Sequence, residues 1–180
     1  MRTLSFKDSD ILNTTLVSSD DAEATYTIKT ASMGGEKVTT LNGTSPAASI
    51  HWGEQITFAV GDESIPVKAA EREVWVKGRY TSARIWSWGK WEYELDYANG
   101  GWTVKDVLSD STVAYLRSAQ SHIVHKNEPA QLAVNPDISP AGFAFLLLAI
   151  VYSEWRRLKV MVSRNLGSAT CMRFLLTWVY

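Results

Sequence analysis

The sequence predicts a mainly β domain, a closed antiparallel barrel of about twelve short strands around one hydrophobic C-terminal helix. Three observations lead there. Apolar and polar side chains alternate from residue 4 to about residue 134, and turn residues interrupt the alternation every few positions. The period then changes abruptly into a charge-free stretch of helical length. With 180 residues, 46% of them apolar, the chain can bury one substantial core, so a single domain over residues 1–159 is expected, followed by an extension, 160–180.

The strands are read in order from their alternation. Tyr26 and Ile28 alternate with Thr25, Thr27 and Lys29, and Ile50 and Trp52 share a face behind the Thr44-Ser45-Pro46 breaker. Ile56, Phe58 and Val60 alternate up to Gly61-Asp62. Val74 and Val76 flank Trp75, and Ile85 separates Arg84 from Trp86. Trp91, Tyr93, Leu95 and Tyr97 keep a period of two up to Asn99-Gly100-Gly101, a hairpin signal leading into Trp102-Thr103-Val104. Weaker strands follow at Val113–Tyr115, Ile123–Val124 and Leu132–Val134.

The helix has its own punctuation. Asn135-Pro136-Asp137 is a turn, Ser139 can cap an N-terminus, and Pro140 suits the first helical position, where its missing N–H costs nothing. The expected helix spans about 140–159 and ends among Arg156, Arg157 and Lys159, cations that favour a helix C-terminus. Residues Ala141 to Tyr152 carry no charge and make more than three turns, so every side of this segment is apolar and must be surrounded. A membrane span needs about twenty such residues, so a buried core helix is the expectation. A sheet curled around it would cover every side and remove its own exposed edges.

The strand series, the segment Arg79-Tyr80-Thr81-Ser82-Ala83-Arg84-Ile85-Trp86-Ser87-Trp88-Gly89-Lys90 and the helix end Glu154-Trp155-Arg156-Arg157 together resemble a fungal family of unknown function in the tubby C-terminal-like superfamily. The resemblance covers roughly residues 4–159 and implies a barrel threaded by a central helix. Its relatives include phosphoinositide-binding tubby proteins and phospholipid scramblases, but fold analogy alone supplies no function. Beyond Lys159 the chain departs from the family, with a Gly167-Ser168-Ala169 breaker and the apolar stretch 174–180.

Few catalytic constellations survive inspection. Cys171 is the only cysteine, so no intrachain disulfide and no thiolate cluster is possible, and no charge pattern marks it as an activated nucleophile. His122 and His125, spaced i to i+3, would share one face of a helix but fall on opposite faces of the strand expected there, and with His51 the only other histidine, no metal site and no cofactor are expected. Neither a Gly-x-Ser-x-Gly elbow nor a Gly-rich phosphate loop occurs. Glu92, Glu94 and Asp96 share one strand face opposite Trp91, Tyr93 and Leu95, the pattern of a solvated polar face. An enzyme is not argued for. The start, Met1-Arg2-Thr3-Leu4-Ser5-Phe6-Lys7-Asp8, shows no secretory signal, so an intracellular location, cytoplasmic or peripheral to a membrane, is expected. The glycosylation patterns at Asn13 and Asn42 then read as turn sequence.

Charge is more informative. Residues 1–63 hold nine acids and four bases, whereas residues 68–90 hold six bases against Glu71 and Glu73. Trp75, Tyr80, Trp86, Trp88 and Trp91 are interleaved with those bases, a mixture suited to the interface between water and an anionic membrane. The bland alternative is a solvent face of basic residues over aromatics that fill a barrel. From this we expect a non-enzymatic module binding anionic phospholipid headgroups through Arg72, Lys77, Arg79, Arg84 and Lys90. The alternatives are a structural or protein-interaction domain and a scramblase-like protein whose helix enters the bilayer. Net charge is −1, so no nucleic-acid partner is expected.

Overall fold

The computed structural model describes residues 1–19, 25–76, 79–119 and 128–175, with side chains described except at 75–76, 79–82 and 162–175. The expected strand at Ile123–Val124, with His122 and His125, lies outside the described residues. One sheet contains thirteen strands: β1 Arg2–Phe6, β2 Thr14–Ser18, β3 Thr25–Met33, β4 Glu36–Asn42, β5 Ala48–Trp52, β6 Ile56–Val60, β7 Glu63–Pro66, β8 Glu71–Val76, β9 Arg79–Trp88, β10 Trp91–Ala98, β11 Gly101–Asp106, β12 Ser111–Arg117 and β13 Gln131–Val134. Two helices complete the fold, α1 Val67–Ala70 and α2 Pro140–Leu175. The sheet order is β7-β6-β5-β4-β3-β2-β1-β13-β12-β11-β10-β9-β8, with every pairing antiparallel.

Local chemistry sets the turns and the register. Between β10 and β11, Ala98 faces Gly101, and Asn99 and Gly100 have φ of 52° and 80°. Positive φ at both central residues matches the right-handed twist of the flanking strands, which is why Asn-Gly stands there. Alternation then decides what is buried. Tyr93 and Leu95 point to the core while Glu92 meets Arg72 outside. Asn13, in one of the glycosylation patterns, accepts a hydrogen bond from the Thr30 amide at 2.9 Å, which ties the segment before β2 to β3.

The sheet is not closed, which corrects the expected barrel. β7 and β8 stand at its two edges without pairing, and α1 carries the chain from one edge to the other, touching β6, β7, β8 and β9. The reason lies in β7, which is four residues long and ends in Pro66, a residue with no N–H to give a ladder. Side chains span the seam instead. Phe58 of β6 stacks on Trp86 of β9 at 5.5 Å between centroids, and Tyr152 meets both rings edge-on at 5.7 and 5.6 Å. Among the described residues Trp86 Nε1 has no hydrogen-bond partner, and the ring contacts with Phe58 and Tyr152 hold it in place.

The helix begins as its punctuation predicts. Ser139 accepts at its Oγ from the Gly142 amide (3.3 Å) and at its carbonyl from the Phe143 amide (2.8 Å). Each residue from Ala144 to Val151 is 0% exposed. That run exceeds two turns, so the sheet covers every side of it, as an all-round apolar helix requires. The helix does not stop near Lys159 but continues to Leu175. Cations at a last turn favour an end without imposing one, no proline follows Pro140, and a single Gly167 is tolerated within a helix. No helix among the described residues is long and apolar enough to cross a membrane.

Candidate functional site

The polar residues that could do chemistry gather where α2 leaves the sheet. A helix turns about 100° per residue, so four successive residues after Glu154 reach four successive walls. Trp155 packs on Trp52 of β5 at 4.4 Å between centroids. Arg156 reaches Glu71 of β8, its Nη1 donating to both carboxylate oxygens at 2.8 and 2.9 Å. Arg157 turns to β10 and β11, with its guanidinium 4.6 Å from the Tyr97 ring centroid. Leu158 lines a hollow with Phe6, Ile11 and Ala130 on the β1–β13 side.

Glu154 is the anchor of this mouth. Its side chain is 5% exposed and takes a two-pronged contact from Arg157, whose Nε donates to Oε2 and Nη2 to Oε1, each at 2.7 Å. Trp102 Nε1 donates to Oε2 at 2.8 Å. Burial pushes the carboxyl upward, but the Arg157 and Trp102 hydrogen bonds and the Arg157 charge outweigh it, and the group rests below its ordinary range. The same contact holds the Arg157 guanidinium in its charged form.

Beside this pair lies a cleft of about 460 Å³. Its polar lining includes Glu71, Arg84, Ser153, Arg156 and Arg157, and its apolar wall Trp102, Val160 and Met161. Arg84 meets Glu71 and Glu73 at 3.4 Å each. Leu158, Val160 and Met161 are 38%, 46% and 52% exposed. Two cation–aromatic contacts rim the opposite side: Lys159 Nζ is 5.0 Å from the Trp155 ring centroid and Lys37 Nζ is 5.6 Å from that of Trp52. After Glu154 the chain carries Arg156, Arg157, Lys159, Arg164 and Arg173 and no acid.

Of the five bases singled out from the sequence, the three whose side chains are described, Arg72, Arg84 and Lys90, do not form one patch. Arg72 lies on the outer face, donating to Glu92 at 2.8 Å. Its hydrogen bond, followed by that of Ser87, holds Glu92 below the usual carboxylate range. Arg84 faces the cleft. Lys90 sits at the turn before β10, 5.6 Å from the Trp91 ring centroid, at the opposite end of the sheet from the helix exit. Lys77 lies outside the described residues, and Arg79 is described in its backbone alone, paired with Val76 at the start of β9. Glu71, Glu154, Arg156 and Arg157 are not among the binding residues expected from the sequence, which reads Arg156 and Arg157 only as cations at a helix end. A signal was present: Glu154 is the first charge after the apolar run and stands three residues before Arg157, the spacing of neighbours on one helix face. Among the described residues no three His, Cys, Asp or Glu side chains gather to hold a metal ion.

A sheet curled around a buried helix, with the Glu71–Arg156 and Glu154–Arg157 pairs at the helix mouth, defines a helix-cored β domain. Residues 9–159 match a described family of unknown function, DUF6593, and the chain belongs to that family. The matched region takes in β2 to β13 and the enclosed part of α2 and ends at Lys159. No curated protein and no solved structure matches the chain.

Proposed function

We propose that this protein is a non-enzymatic module that attaches peripherally to membranes by binding anionic phospholipid headgroups at the helix exit. One observation carries the reading: exposed Leu158, Val160 and Met161 adjoin a helix segment with five bases and no acid after Glu154. Exposed apolar side chains beside cations and tryptophans suit the boundary between water and an anionic bilayer. The sheet wound around a central hydrophobic helix also supports kinship with the tubby C-terminal-like superfamily, through the fungal family that the sequence resembles. Peripheral attachment is favoured over insertion of the helix, because withdrawing Ala144–Val151 from the sheet would empty the core.

The test is co-sedimentation of the full chain, without detergent, with neutral and anionic vesicles at low and high salt. Binding that needs anionic lipid and weakens as salt rises is expected. Absence of binding to anionic vesicles would overturn the proposal and move the weight to a protein-interaction domain.

A further inference from the structure

Building on the headgroup reading, we infer that the cleft between α2, β8, β9 and β11 is a site for one phosphate-bearing amphiphile, its phosphate on Arg156 and Arg84 and its apolar part along Val160, Met161 and Trp102. The lining sets three guanidinium groups, Arg84, Arg156 and Arg157, against one carboxylate, Glu71. The carboxylate that balances Arg157 belongs to Glu154, which lines the neighbouring hollow with Phe6 and Ile11 instead. Arg156 meets Glu71 through Nη1 alone, so among the described residues its other N–H groups remain for a second acceptor. Arg84 donates through Nη1 to the Ala83 carbonyl at 3.0 Å, and its contacts to Glu71 and Glu73, at 3.4 Å each, are longer than a strong charged hydrogen bond, so a phosphate would compete with these carboxylates for the guanidinium.

Size and polarity narrow the ligand. At about 460 Å³ the cleft falls within the range of small-molecule sites and far exceeds what a lone ion fills. Its lining includes exposed Val160 and Met161, the latter with its sulfur 3.0 Å from Arg157 Nη1, apolar surface that a free phosphate would leave in water but an acyl or glycerol portion would cover. A planar guanidinium recognises phosphate by paired N–H donors, and two of them from different elements define one place for the head.

The experiment uses the full chain and its Arg156→Gln and Arg72→Gln variants, with melting curves checking that each variant folds. Vesicles of phosphatidylcholine with and without phosphatidic acid form one arm. Calorimetry with a soluble short-chain phosphatidic acid and with inorganic phosphate forms the other. Arg156→Gln is expected to weaken both lipid arms about fivefold or more, as for one cation at an anionic surface, while Arg72→Gln changes neither and inorganic phosphate binds far more weakly. Vesicle binding that Arg156→Gln leaves intact would overturn the cleft assignment but keep the headgroup reading. Indifference to anionic vesicles with Arg156-dependent binding of the soluble lipid would keep the cleft and sink peripheral attachment. Equal affinity for inorganic phosphate would overturn the amphiphile.

Discussion

The two ends of the central helix are fixed by different physics. Where α2 starts, shape does the holding: a Cβ on Gly142 would lie 2.9 Å from Trp91 Nε1 and 3.0 Å from both Ser139 Oγ and Tyr93 OH, and Phe143 packs on Tyr26 at 5.1 Å under the Arg2 guanidinium. The hollow beside this start is lined by Asp106 and Asp137. Where α2 leaves, charge does the holding, through Glu154–Arg157 and Glu71–Arg156, and exposed apolar residues follow directly. The hollow beside the start, about 290 Å³, offers an anion those two carboxylates and no guanidinium, whereas an exit fastened by ion pairs can exchange an internal carboxylate for an external phosphate. That contrast is why the functional reading belongs to the exit.

The largest effect that would break this comparison comes from Glu154. Replacement by Leu leaves the Arg157 guanidinium, 18% exposed, and the Trp102 N–H without their acceptor, and should cost roughly 3 kcal/mol in denaturant unfolding. A loss below about 0.5 kcal/mol, the scale of ordinary surface changes, would mean that the pair is ornamental.

pH should separate the two ends next. Burial, then the charge of Asp106, pushes the Tyr93 hydroxyl up to about 12. A raised value means that the unfolded chain ionises first, so stability intact below pH 10 should fall by about 2–3 kcal/mol between pH 10 and 12. Glu154 is lowered, so its contribution is present above its ordinary value of 4.5 and is lost as acid carries pH down through the folded value. Proton-coupled melting curves on Tyr93→Phe and Glu154→Gln should remove the alkaline and the acid limb respectively. If each variant kept its limb, these residues would not be the titrating groups.

The smallest effect sharpens the contrast between inner and outer arginines. Arg72 pairs with Glu92 on the surface, its side chain 58% exposed, so Arg72→Gln should change stability by less than about 1 kcal/mol, and added salt should shrink even that. A larger change in the melting midpoint would show that the outer pair holds the β8 edge.

Much of the fold was legible because its signals are local. Period-two alternation marked the strands from Tyr26 to Val134, Asn99-Gly100 marked a hairpin, and Ser139-Pro140 marked the helix start to the residue. Closure was not legible, since nothing between Glu63 and Ala70 except Pro66 warns that two strands will fail to meet. The site was only half legible. Arg84 stood out by its basic neighbourhood, but the same neighbourhood drew attention to Arg72 and Lys90, which the strand register sends to the outer face and to the far turn.

By itself, then, the sequence determined the mainly β class, the alternation of strands such as β3, β6 and β10, and a helix so apolar that something had to enclose it. Each follows from interactions within a few residues, where side-chain spacing and backbone preference suffice. The tertiary structure alone decided that the sheet stays open at β7 and β8 and that Glu71, from an edge strand, meets Arg156, from the helix. It also decided that Arg157 turns inward to a buried carboxylate. Those pairings join residues far apart in the chain, and which ones meet depends on how the curled sheet aligns with the 100° step of the helix.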